Sequence, residues 1–167
     1  MHVFSALVPP ADVTATLAAE LGEPAGDRLR WSPPRDWHVT LGFYGHADLT
    51  ERAGRLRERL AGRPAIDLRL ENAGTFPGVL WLTVAGEGLT ALALAAGADA
   101  EARPYRAHLT LARFPREEPE LARPWEQRLA RFSSRVWKAT EVVLMCGERA
   151  PDGSRYRVAD RFPLERA

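Results

Sequence analysis

The residues best suited to chemistry in this chain fall in two tetrapeptides, His38-Val-Thr-Leu41 and His108-Leu-Thr-Leu111. Each lies in a run that alternates apolar and polar residues, Trp37 to Tyr44 and Tyr105 to Phe114, which is the pattern of a half-buried strand. Side chains in a strand point to opposite faces with a period of two. His and Thr of each copy therefore share one face, while the apolar residues between and after them enter a core. An imidazole, with an ordinary pKa near ~6.5, gives or takes a proton near neutrality. A hydroxyl two residues along the same face can donate a hydrogen bond to an oxygen that gains negative charge. The chemistry on offer is general acid–base catalysis by a pair of histidines, each with a hydroxyl beside it.

The duplication is not accidental. Thr makes up 9 of the 167 residues and apolar residues 46%. A given His then begins such a tetrapeptide with a chance of ~1%, and two matches among four His arise by luck in fewer than about one sequence in a thousand. A lone His on a sheet face is most often a hydrogen-bonded polar residue; the repeat outweighs that reading.

The two tetrapeptides resemble the His-x-Thr-x signatures of the 2H phosphoesterase superfamily, in particular the bacterial and archaeal RNA 2′,3′-cyclic phosphodiesterases, or 2′-5′ RNA ligases. Trp37 to Gly45 is similar to the first motif, in which the strand runs on into an aromatic or Leu and then Gly. Arg103-Pro-Tyr-Arg-Ala-His-Leu-Thr-Leu-Ala-Arg113 is similar to the second, with Ala107 where the family commonly has Pro. In length and motif placement the resemblance spans essentially the whole chain, 1–167, as one two-lobed domain. It implies an α+β fold of two pseudo-symmetric lobes, each an antiparallel sheet with outer helices, facing across a central cleft.

The resemblance also implies a reaction. Opening a 2′,3′-cyclic phosphate takes a base that removes a proton from water and an acid that protonates the departing ribose oxygen, on opposite sides of phosphorus. By motif, His38 would be the proton donor to the leaving 3′ oxygen and His108 the base, leaving a 2′-phosphate. The reverse direction would join a cyclic phosphate end to a 5′-hydroxyl as a 2′-5′ linkage. Neither direction calls for a metal, a cofactor or a nucleoside triphosphate. Thr40 and Thr110 would hydrogen-bond the non-bridging oxygens. Arg113 is expected to contact phosphate, although five positions from His108 it falls on the opposite face of an ideal strand. Tyr44 and Tyr105 flank the motifs and could stack on a base; Trp37 reads as core packing, and Arg35 and Arg106 as surface charges. His2 and His46 lie outside the motifs. The implied partner is RNA ending in a 2′,3′-cyclic phosphate or carrying a 2′-5′ linkage, tRNA fragments and nucleotides included.

The elements that must position these groups can be read along the chain. His2 to Val8 is a strand, and Ala11 to Leu21 a helix capped by Gly22. Arg28 to Ser32 is a short strand. Asp48-Leu-Thr-Glu51 is a capping box, so a helix runs to about Ala61. Ala65 to Glu71 and Val79 to Val84 pair as antiparallel strands across Pro77-Gly78. Leu89 to Ala98 is a buried helix, and Trp125 to Phe132 another. Val136 to Cys146 is one long apolar strand, and Pro151-Asp-Gly-Ser154 turns it into a closing strand, Tyr156 to Leu164.

Composition excludes several classes. The net charge is +1, so no global basic field marks a nucleic-acid coat protein, and 22 of the 23 basic residues are Arg. The single Cys146 permits no intrachain disulfide and reads as packing. With one Cys and no close His pair, a zinc site lacks its ligands. A Walker loop and a Gly-x-Gly-x-x-Gly are absent. A phosphohistidine phospholipase would need Lys where Thr40 and Thr110 stand. No stretch reads as a signal peptide or a membrane span, so the expectation is a cytoplasmic protein, and nothing demands more than a monomer. The strongest rival from another class is a non-catalytic RNA- or nucleotide-binding module on the same scaffold.

Overall fold

The computed structural model describes residues 1–24, 28–98, 104–150 and 153–166. Within them the elements run β1 (His2–Leu7), α1 (Ala11–Leu21), β2 (Arg30–Trp31), β3 (Val39–Gly45), α2 (Leu49–Leu60), β4 (Ile66–Phe76), β5 (Val79–Ala85), α3 (Leu89–Ala95), β6 (His108–Arg113), α4 (Arg123–Arg128), β7 (Trp137–Ala139), β8 (Glu141–Ala150) and β9 (Gly153–Pro163). The fold is α+β, as the sequence pattern implies.

Local chemistry explains the element ends. Gly22 ends α1 at φ 67°, a left-handed φ that side chains other than Gly resist. Asp48 caps α2 by accepting a hydrogen bond from the Glu51 amide at 2.8 Å. That helix buries Ala53, Leu56 and Leu60 and turns its arginines outward. Gly78, at φ 81°, turns β4 into β5.

All nine strands belong to one curled antiparallel sheet in the order β7-β4-β5-β6-β3-β1-β8-β9, with β2 paired to β6. The two expected halves are thus joined by hydrogen bonds. β3 and β6 meet at the middle of the sheet through a single residue pair, Val39 with Leu109. One face is covered by the helices and packs the main core, where Leu41, Leu82, Leu109 and Leu111 are fully buried. The other face is largely bare and carries a smaller cluster of Phe4, Ala6, Val143 and Met145 with Tyr156.

The apolar run Val136 to Cys146 is two strands, not one. Thr140 separates β7, which pairs with β4, from β8, which lies between β1 and β9. One residue therefore links strands near opposite ends of the sheet order, which is possible only because the sheet curls until its ends approach. The ends are stitched there by Ala65 N donating to Glu165 O at 2.7 Å and Glu165 N donating to Arg63 O at 2.8 Å. The Arg28 to Ser32 strand contracts to two residues, and the Trp125 helix begins and ends earlier than its apolar spacing suggests. The second motif strand begins at His108, which leaves Tyr105 in the preceding loop. Arg103 and the turn residues Pro151 and Asp152 lie outside the described residues.

Candidate active site

The two histidines are held in the same way. His38 Nδ1 lies 2.7 Å from the carbonyl oxygen of Asp36, and His108 Nδ1 lies 2.8 Å from that of Arg106. A carbonyl can only accept, so each Nδ1 carries the proton and each Nε2 is left for chemistry. In both cases the acceptor sits two residues before the His. At His38 it is presented by a 3₁₀ turn, Pro34–Asp36, that is held in turn by Trp37, whose buried indole donates to Ser32 O at 3.1 Å. Trp37 packs in the core, as its sequence setting suggests.

Aromatic walls flank both rings. Phe4 stands 5.0 Å and Tyr156 5.4 Å from His38, centroid to centroid; Phe76 stands 5.1 Å and Trp81 6.3 Å from His108. Gly74 makes room for the indole, since a Cβ there would come within 2.5 Å of Trp81. Burial pushes the His38 pKa below its ordinary 6.5. The Asp36 carbonyl and carboxylate act in the opposite direction, and the His108 charge adds to the lowering.

Register places the hydroxyls. Extending the Val39–Leu109 pair by one residue each way aligns His38 with Thr110 and Thr40 with His108 on the bare face. Cross-strand partners share a face, and β5 pairs Thr83 with His108, Trp81 with Thr110 and Val79 with Arg113. These three β5 residues alternate in sequence, so Arg113 lies on the His108 face. The cause is a bulge: Leu111 and Ala112 are both buried, which restores the phase that an ideal strand would lose.

The first motif carries the same device. Leu41 and Gly42 both face the helices, so Phe43 pairs with Phe4 on the bare face, 51% exposed. Phe43 is thus the counterpart of Arg113, and the alternating pattern alone does not find it. Tyr44 turns to the helix side instead. Its hydroxyl lies 2.7 Å from Ser5 Oγ and donates to the Ala96 carbonyl, and the Arg52 guanidinium covers its ring at 4.1 Å. Burial raises its phenol pKa. Tyr105 reaches across the seam, donating from its hydroxyl to the Thr40 carbonyl at 2.6 Å. The structure therefore brings His38, Thr40, His108, Thr110 and Arg113 to one face, sets Tyr105 at its edge, and leaves Tyr44 behind it.

A cavity of about 710 Å³, lined by Leu21, Leu29, Leu121, Trp125 and Arg128 among others, lies between α1 and α4 and includes none of these groups. Among the described residues, no cluster of three or more His, Cys, Asp or Glu is placed to hold a metal ion, and no helix is long and apolar enough to cross a membrane.

The same fold recurs in solved structures. A Thermus thermophilus protein, TT0787, superposes with a TM-score of 0.77 at 25% identity over 98% of both chains. Escherichia coli LigT complexed with ATP superposes with a TM-score of 0.74 at 22% identity, over 98% of this chain and 97% of that one. LigT complexed with 3′-AMP gives 0.73 at 21% over the same shares. No curated protein sequence matches the chain. The class that fold defines is the LigT-like 2H phosphoesterases. Residues 8–150 match the 2′-5′ RNA ligase superfamily, and the chain belongs to it.

Proposed function

We propose that this protein opens RNA 2′,3′-cyclic phosphate ends to 2′-phosphates without a metal, with His38 as general acid and His108 as general base. The observation that carries the reading is the matched pair of Nδ1 locks, which leave two Nε2 atoms free on one face across the β3–β6 seam. Water loses a proton to His108 Nε2 as its oxygen bonds phosphorus. The P–O3′ bond breaks, and the 3′ oxygen takes the proton from His38 Nε2. Thr40 and Thr110 donate to the non-bridging oxygens as charge builds there. Phe43, exposed at the far end of β3, supplies a flat surface for a base. When a 5′-hydroxyl replaces water, the same steps leave a 2′-5′ phosphodiester. That LigT has been crystallised with 3′-AMP supports a nucleotide-sized ligand for this fold.

The test is hydrolysis, in excess EDTA, of a short RNA ending in a 2′,3′-cyclic phosphate, with the product end identified. A 2′-phosphate is expected, and His38→Ala and His108→Ala should each lower kcat by about 10²- to 10⁴-fold. Intact RNA with the wild type across pH 5 to 8, but tight RNA binding unaffected by either substitution, would instead mark a binding module.

A further inference from the structure

Arg30 and Arg113 are direct cross-strand partners of β2 and β6, and both are exposed on the face that carries the histidines. Trp31, the next residue, pairs with Ala112 and packs on the helix side against Trp125, which fixes Arg30 to the opposite face. Like charges directly opposite each other destabilise a sheet. Some exposed arginines are ion-paired, Arg28 with Glu118, Arg57 with Asp160, Arg135 with Asp12 and Arg161 with Glu141. Among the described residues, neither the Arg30 nor the Arg113 side chain forms an ion pair or hydrogen bond. Two exposed arginines opposed across β2 and β6, with no carboxylate on either, favour an anion between them.

We propose that Arg30 and Arg113 together form a second phosphate subsite, which takes the 5′-phosphate of the nucleotide whose 2′,3′-cyclic phosphate lies at the histidines. This rests on the cyclic phosphodiesterase reading above. The order of groups along the seam follows from the register. Arg30 and Arg113 come first, then His38 beside Thr110, then Thr40 beside His108, and last Phe43. In a cyclic nucleotide the 5′ carbon lies beyond the 3′ oxygen, and the base lies beyond the 2′ oxygen. With His38 on the 3′ oxygen, the 5′-phosphate runs toward the arginines and the base toward Phe43. Arg113 follows Thr110 by three residues, about 10 Å along the strand, and its long side chain shortens the span. The preferred substrate is then an oligonucleotide end, whose 5′-phosphate is the last internucleotide linkage, over a bare nucleoside cyclic phosphate.

The experiment compares kcat/KM for cytidine 2′,3′-cyclic phosphate, its 5′-phosphorylated form and a dinucleotide with a terminal cyclic phosphate. The wild type should favour both phosphate-bearing substrates by about 10-fold or more, as charge-assisted hydrogen bonds to phosphate warrant. In Arg30→Gln that ratio should fall to within about twofold, chiefly through KM, and Arg30→Lys should restore part of it. Equal kcat/KM on all three substrates in the wild type, or an unchanged ratio in Arg30→Gln, overturns the subsite while the hydrolytic reading stands. If the wild type cleaves none of the three, both fall together.

Discussion

Burial holds the His38 imidazole below 6.5, so in the free protein at neutral pH it is mainly uncharged. A general acid must carry its proton, and the lowered pKa therefore limits the fraction of free protein that is ready to act. A bound phosphate reverses the sign, because a nearby negative charge favours the protonated ring. If His38 is the acid, activity falls as pH rises through its pKa. The alkaline limb of kcat/KM, which reports the free protein, should then lie below 6.5, and the limb of kcat at higher pH. Rate profiles between pH 4.5 and 9 check this, and a kcat limb at or below that of kcat/KM would count against it. If His38→Gln abolishes the acidic limb and keeps the alkaline one, the two roles are exchanged. The histidines and threonines were legible in the sequence because their period-two spacing coincides with the strand. The lock on each Nδ1 was not, since a backbone carbonyl leaves no residue signature.

β3 itself meets β6 at one residue pair, and the chain before His38 is held to β6 by β2 and by Ser32 N donating to Leu111 O at 2.9 Å. The Tyr105 hydroxyl on the Thr40 carbonyl is a further tie, from the loop that leads into His108 to the strand that follows His38. The geometry favours a positioning role for Tyr105, beside the base contact that its place next to the motif suggested. Tyr105→Phe should lower kcat by about 10-fold or more, because small misplacements of reacting groups are costly. KM should stay within about twofold, and Tm within about 2–4 °C, the scale of one lost hydrogen bond. A raised KM with unchanged kcat would instead restore the stacking role. Alternation made the strands visible but hid their irregularities. The bulges at Leu111 and at Leu41-Gly42 bring Arg113 and Phe43 to the bare face; nothing in the apolar run singles out the first, whereas Gly42 was a signal for the second that the alternating pattern passed over. The break at Thr140 carries no Gly or Pro either; its only mark is the polar interruption Lys138, Thr140 and Glu141 within the apolar run.

The whole molecule adds a second constraint on the distance across the seam. His38 belongs to the half formed by β3, β1, β8 and β9, and His108 to the half formed by β6, β5, β4 and β7. Opposite the seam, among the described residues, the sheet's two halves are linked by Thr140 between β7 and β8 and by the backbone bonds of Glu165 to Arg63 and Ala65. The sheet is thus held at two lines, and the short Thr140 linker constrains the angle between its halves. The resemblance implied two lobes facing across a cleft; that the ends of one curled sheet meet at Thr140 was legible neither there nor in composition, because which strand ends meet depends on a topology that local pattern does not encode. Inserting Gly-Gly after Thr140 lengthens one line without touching the bare face. Loop extension of this size costs stability only on the order of 1 kcal/mol, so the folded state should survive and kcat should fall while KM holds. Combined with Tyr105→Phe, which loosens the other line, the loss in kcat should exceed the product of the single losses, since both ties fix the same separation. Strict multiplicativity would mean that the two lines act independently, and that the spacing of the histidines is set within each half.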